Sequence, residues 1–292
     1  MTGRGEVVGQ ARTFAAILTQ QRRRRRRGGK WLRDWGPPAV VFGLFIGTWY
    51  LVSDVVLDPE RRFLLPAPDQ TFKIAFLDAG NRTDLFRALG LSTSVAMVGL
   101  AVSIVIGMTA AILMSQARWI ERSIYPYAVI LQCIPTLALV PLIGFWFDFG
   151  YNSRVIVCVL IALFPIISTT FFGLQSAEQD QHDLFTMRGA GRLTRLWKLQ
   201  LPAALPSVFT GFQVSATLAV IGAIVGDFFF KQGDPGIGIL IDLYRARLQT
   251  EQLFGAVILA CALGVVVFWF FGFLTRRVVG GWYGSAAYGQ PT

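Results

Sequence analysis

The sequence offers very little that could carry out covalent chemistry. His182 is the single histidine, and Cys133, Cys158 and Cys261 each stand alone in apolar surroundings. A metal cage or a disulfide framework needs His and Cys residues clustered at fixed spacing, and no such cluster occurs. Acids inside apolar runs are nearly absent as well: Asp54 lies near the end of one run and Asp227 closes another. A membrane-bound hydrolase or transferase would need several acids, histidines or metal ligands converging on one site, so an enzyme is not expected. One stretch stands apart. Residues 183–206, DLFTMRGAGRLTRLWKLQLPAALP, form a polar and basic island between apolar runs. Arg188, Arg192, Arg195 and Lys198 recur at helical spacing on one face, and Leu193, Leu196 and Trp197 occupy another. Gly189-Ala190-Gly191 interrupts the pattern. This predicts two short helices, 183–188 and 192–200, joined by a flexible link. A helix with one basic and one apolar face suits a lipid surface or a groove in a partner protein, and the residue pattern leaves both open. The glycines at 189 and 191 do not make a phosphate cradle, because the G-x-x-x-x-G-K-[ST] lysine and the preceding strand are missing.

The elements that must position this island are membrane spans. Of 292 residues, 54% are apolar and 15% charged, and the mean hydropathy is +0.54. Six charge-poor stretches, within 38–57, 88–114, 123–147, 155–177, 207–226 and 252–275, reach the roughly 20 residues that cross a bilayer as a helix. The expected fold is therefore all-α and polytopic, with six transmembrane helices. The net charge of +10 could indicate nucleic acid, but ten of the 27 Lys and Arg lie in the first 36 residues beside a span, which makes them a topology signal. The six arginines at 22–27 lack interleaved aromatic residues, so they suit a solvated tail touching anionic lipid, with no nucleic-acid partner. No cleavable signal peptide is expected. Upstream, Ala11, Phe14, Ala15 and Leu18 have the spacing of a short interfacial helix. With both termini in the cytoplasm, basic residues favour the inner segments two to one, and the island faces inward. The organisation expected is a basic cytoplasmic tail (1–36), a six-helix membrane domain (37–280) whose inner loop spans 178–206, and a short cytoplasmic tail (281–292).

Polar groups within the spans are few. Pro126, Pro135 and Pro141 should kink or break the third span and place it inside the bundle near a pathway. Gln132 and Thr136, one turn apart beside Pro135, are the first choices for lining that pathway. Gln213, Ser168 and Thr169 suit either lining or helix-to-helix hydrogen bonding. Asp227 suits solvation at the outer interface or, as an ionisable group at that depth, a functional role in the pathway. Asp242, Glu251, Arg245 and Arg247 suit a solvated, partly paired outer surface.

The island's spacing resembles a known pattern. Asp183 is followed six residues on by Gly189, ten beyond that by the aliphatic Leu199, and then by Leu201-Pro202. This is similar to the "EAA" motif of permease subunits in bacterial ATP-binding-cassette importers. Asp183 replaces the usual glutamate, and Leu184 and Phe185 replace the two alanines. The stretches 64–68 (LLPAP), 132–142, 202–206 (PAALP) and 222–239, with Asp227 and Gly236-Ile237-Gly238, resemble the nitrate, sulfonate and taurine group, which also includes permeases for thiamine-precursor pyrimidines and riboflavin-like solutes.

The resemblance implies a type I importer architecture in the bacterial inner membrane. Two permease copies, expected as a homodimer, would form the path, two cytoplasmic ATPases would dock on the islands, and an external solute-binding protein would deliver cargo. ATP would be bound and hydrolysed by the partners, leaving this chain without a cofactor. Coupling would fall to Asp183, Leu184, Phe185, Gly189, Ala190, Gly191, Leu199, Leu201 and Pro202, with Gly189 as joint and Pro202 as rigid exit. The bulk of Leu184 and Phe185 calls for an ATPase groove matched to them. The implied cargo is a small anion such as a sulfonate, taurine or nitrate, with a pyrimidine or riboflavin-like solute as the alternative. A secondary transporter would instead need open intramembrane acids and internal repeats.

Overall fold

A computed structural model describes residues 36–280, and these are helical with short connections. The expected interfacial helix near Phe14, the arginine run and the tail 281–292 lie outside the described residues. The chain divides into two units, one ending at Gln70 and the other beginning at Thr71. In the first, α1 (Gly36–Val56) is long and apolar enough to cross a membrane. Its last turns are tied to the following loop by Trp49 Nε1, which donates to the Pro66 carbonyl at 3.0 Å, and by Ser53 Oγ, which donates to that of Leu65 at 2.8 Å. Asp54 is exposed, as its place near the end of the run suggests. A short helix, α2 (Pro68–Phe72), spans the junction in sequence.

In the second unit, α3 (Ala79–Gln116) runs for 38 residues, started by Asp78, whose carboxylate accepts the Asn81 amide at 3.0 Å. The third expected span is two helices, α4 (Arg118–Cys133) and α5 (Thr136–Phe147), bent by 100°. The break falls at Ile134-Pro135: the residue before a proline is pushed out of helical conformation, and Ile134 is extended (ψ 125°). Pro126 and Pro141 stay inside α4 and α5, so only the middle proline of the three breaks the chain. Next come α6 (Tyr151–Leu174), α7 (Gln179–Met187), α8 (Arg192–Phe229), α9 (Ile237–Ala246) and α10 (Thr250–Val279). Counting the bent pair as one, up to six spans result.

The core is built where α3, α6, α8 and α10 meet, from Ala96, Leu100, Cys158, Ala162, Ile166, Ala216, Ala219, Ala223, Leu263 and Phe271 among others. Small side chains dominate because lipid tails give helices no hydrophobic reason to associate, so close backbone approach and dispersion must hold them together. Gly222 shows the consequence: a Cβ there would sit 2.9 Å from the Cα of Cys158 on α6.

One expectation needs correction. The arm 192–200 is not a separate helix before the fifth span. It is the first part of a continuous helix, α8, that carries on through Leu201-Pro202 into the apolar region. Pro202 is tolerated because residues 196–200 widen into a π turn, with the Leu201 amide donating to the carbonyl of Leu196, five residues back. The wider register eases the clash a proline ring would make in an α turn.

Candidate functional site

Among the described residues, a polar centre lies at each end of α8. The first is the island. α7 ends in a Schellman motif: the Gly189 amide donates to the Thr186 carbonyl at 2.9 Å and the Ala190 amide to that of Phe185 at 2.9 Å. Gly189 sits at φ +66°, which the motif requires and which glycine adopts without steric penalty. The link between the arms is therefore a hydrogen-bonded turn with a set angle. A further tie crosses the turn, with Arg195 Nη2 donating to Thr186 Oγ1 at 3.0 Å.

α7 has no buried residue. Leu184 is 60% exposed and Met187 85%, while Asp183 accepts only from Gln179, at 3.1 Å within the same helix. Between α7 and the start of α8 lies a concavity of about 420 Å³ lined by Gln181, Leu184, Phe185, Lys198, Leu199, Pro202 and Ala203. Four of the nine sequence-derived coupling residues meet there: Leu184, Phe185, Leu199 and Pro202. Leu199 is buried and faces inward. Asp183, Ala190 and Leu201 flank the concavity in sequence without lining it, as do Gly189 and Gly191 in the turn.

The pathway candidates do not converge. The 100° bend puts Gln132 and Thr136 on different helices, α4 and α5, so they are not one turn apart on one helix. Gln213 donates from Nε2 to the Phe268 carbonyl of α10 at 3.3 Å, a helix-to-helix bond. Ser168 and Thr169 turn back to the Pro165 carbonyl of their own helix, at 3.3 and 2.7 Å.

The second centre was misjudged from sequence. Asp227 is not solvated at an interface: it is fully buried within the chain, beside the equally buried Arg154, with Arg154 Nη1 3.2 Å from its Oδ1. Its Oδ2 accepts from Ser92 Oγ of α3 at 2.6 Å and from the Gly238 amide at 3.3 Å, and Ser92 Oγ accepts the Ile237 amide at 2.8 Å. Gly236 begins α9 and has no side chain with which to cap it, so Asp227 and Ser92 satisfy the helix's first donors from elsewhere in the chain. The buried carboxylate is thus offset twice, by the guanidinium and by the positive end of α9. The glycines of Gly236-Ile237-Gly238 allow this approach, since a Cβ on Gly236 would collide with the Asp227 carboxylate and one on Gly238 would meet Asp227 Cβ at 2.7 Å.

Arg154 gives its directed hydrogen bonds elsewhere. Nε donates to the Phe230 carbonyl at 3.0 Å, Nη2 to that of Gln232 at 2.9 Å and Nη1 to that of Asp234 at 3.1 Å. Sequence reasoning passed over Arg154 and Ser92. The signal available for Arg154 was a lone charge adjoining the apolar run 155–177, with an opposite charge closing the run 207–226; nothing marked Ser92.

Comparison with known proteins places this arrangement. Residues 103–280 match the family model described as binding-protein-dependent transport system inner membrane component. The formylaminopyrimidine transport permease protein ThiX of Halalkalibacterium halodurans is 31% identical over 231 residues, covering 79% of this chain and 90% of that protein. The nitrate import permease protein NrtB of Leptolyngbya laminosa is 26% identical over 254 residues, covering 86% and 90%. Among solved structures, a chain of the inward-facing MetNI methionine ABC transporter superposes with a TM-score of 0.60 at 16% identity, covering 69% of this chain and 99% of that one. The chain belongs to the inner-membrane components of binding-protein-dependent transport systems: it is a multi-pass permease of the ABC importer class and not an enzyme.

Proposed function

We propose that this permease forms the solute path of an importer in which a cytoplasmic ATPase seats in the concavity between α7 and α8. The observation that carries this reading is α7 itself, a helix with no buried residue, exposed Leu184 and Met187, and a turn of set angle at Gly189. A helix left so incomplete within its own chain needs a partner to cover it. Because the second arm is continuous with α8, a push on α7 passes through the turn into a membrane helix without a slack joint. ATP binding by the partner tilts α8, alternating access to the path, and hydrolysis resets it. Both termini lie in the cytoplasm on this reading, a second copy of the chain completes the path, and a solute-binding protein delivers cargo at the opposite face, where α9 and the loop before it lie. Lipid surrounds the assembly, and ATP is held by the partner alone.

Two measurements test the coupling. Replacing 183–202 by a flexible linker should abolish transport-linked ATP turnover in the reconstituted complex, and unchanged turnover would sink the reading. Leu184→Asp should weaken ATPase capture by about tenfold or more, because an exposed apolar anchor becomes a charge in a docking groove.

For the cargo, a neutral nitrogen heterocycle of the thiamine-precursor or riboflavin kind is better supported than a small anion such as nitrate, taurine or a sulfonate. The formylaminopyrimidine permease is more similar to this chain than the nitrate permease, at 31% against 26% identity. Uptake into vesicles with the ATPase inside and the binding protein outside decides it: accumulation of labelled formylaminopyrimidine but not of labelled nitrate is expected, and the reverse pattern restores the anion.

A further inference from the structure

Arg154 makes three directed bonds to alternate carbonyls of one loop, those of Phe230, Gln232 and Asp234, so the loop backbone is wrapped around a single buried guanidinium. Residues 231–235 are exposed, with Lys231 paired to Asp242 and Asp234 to Arg87 at the rim, and Gly233 takes φ +83° to close the curve. The loop is gripped from beneath and open above. At its start Phe230 is fully buried, in a cluster with Val140 and Ile143 of α5 and Val157 of α6, and its ring lies 6.1 Å from that of Phe149. The Gln232 amide donates to the Phe149 carbonyl at 3.1 Å. The same loop is therefore fastened to α6 by Arg154 and to α5, the arm beyond the break at Pro135, by Phe230.

A buried ion pair is a poor way to gain stability, because apolar residues of similar volume would do as well. What a planar fork with five fixed donors gives is a defined backbone shape. We propose that Arg154 is a positioning residue for transport: it holds 231–235 as a preformed platform, so that a protein seated on the loop displaces α5 and α6 instead of deforming the loop. This rests on the reading that a solute-delivering protein docks at this face. Asp227 is the counter-charge that permits the guanidinium to be buried, and the shape comes from the carbonyl bonds.

The test uses the full transporter in lipid nanodiscs, with its ATPase and binding protein. Arg154→Lys keeps the positive charge beside Asp227 but cannot reach three carbonyls. Amide exchange across 231–236 should rise by about tenfold while that of α10 stays unchanged. ATP turnover stimulated by the binding protein should fall by about tenfold, with unstimulated turnover within roughly twofold of wild type. Wild-type exchange, or an equal loss of both turnovers, overturns the proposal, the first because charge alone would suffice and the second because the role would be general stability. Phe230→Leu guards against a misassembled lysine variant: it keeps every carbonyl bond, so the loop should stay protected while stimulation falls, and undiminished stimulation overturns the link to α5. If wild-type transporter shows no stimulation by any binding protein, the docking reading fails instead, and the exchange measurement still decides whether Arg154 shapes the loop.

Discussion

The two ends of α8 solve opposite problems. At the Asp227 end the buried charges are paired within the chain: the carboxylate lies against the Arg154 guanidinium and accepts hydrogen bonds from Ser92 and the Gly238 amide, while Ser92 accepts the Ile237 amide. At the Arg192 end the chain leaves a helix without a buried side chain, apolar groups in the open and one cross-turn hydrogen bond. A site complete in itself can keep one shape, whereas an incomplete one is finished by what docks there. The same protein thus carries a closed polar centre and an open one, about 38 residues of continuous helix apart.

The largest effect should come from breaking the closed centre. Arg154→Met strips three carbonyls of their donor and leaves Asp227 charged, buried and unpaired, which costs about 3–5 kcal/mol. Thermal unfolding of the detergent-solubilised permease would show it. Arg154→Met combined with Asp227→Leu removes both charges and should be less destabilised than Arg154→Met alone; a double variant as unstable as the sum of its parts would mean that the pair does not act as a unit.

Gly236→Ala probes the same centre by volume instead of charge. The added Cβ would run into the Asp227 carboxylate, and relieving the clash should cost about 1–3 kcal/mol in the same unfolding assay. Gly233→Ala, where no atom lies within 4 Å of the new Cβ, isolates the penalty of positive φ and should cost less.

How much of this was legible in the sequence follows from which interactions are local. The spans stood out because hydropathy acts over 20 consecutive residues, whereas Gly236-Ile237-Gly238 stood out only through resemblance to the permease family, and the close approach its glycines allow appears only in the fold. The break at Pro135 was also foreseeable, though not that Pro126 and Pro141 would stay helical. The partners of Asp227 were not foreseeable, because Ser92 and Arg154 lie 135 and 73 positions away in sequence and meet it only through helix packing. Interfacial solvation was the sensible expectation for an acid at the end of a span, and it failed because the opposite charge adjoined a different span. The island fared differently. Its glycines suggested flexibility, but the hydrogen bonds of the Schellman turn depend on how the helix before it ends.

At the open end, Gly189→Ala should destabilise the isolated permease by only about 1–2 kcal/mol, the penalty for an L-residue in the left-handed region, since no neighbouring atom crowds the site. Its larger consequence should be on capture of the ATPase, because the angle between α7 and α8 changes while the core does not. Gly189→Asn should recover part of both, asparagine being the next best residue at this position. Equal losses for Ala and Asn in ATPase capture would mean that the turn's angle is not what the partner senses.

The smallest effect sharpens the comparison at the rim of the closed end. Asp242 on α9 accepts from Lys231 at 2.5 Å and from Arg245 at 2.7 Å, and these hydrogen bonds, that of Lys231 foremost, hold its carboxyl below the usual carboxylate range. A group whose folded value is depressed stabilises the fold at pH above its unfolded value of about 3.9, and that contribution fades as pH falls through the lower folded value. The difference in melting temperature between wild type and Asp242→Asn should therefore be level from pH 7 down to roughly 4 and then close. Lys231→Met should shrink the difference at neutral pH, since it removes the leading donor. The neighbouring contact of Arg87 with Asp234, exposed on both sides, should contribute little stability, so Arg87→Met should leave the melting temperature nearly unchanged.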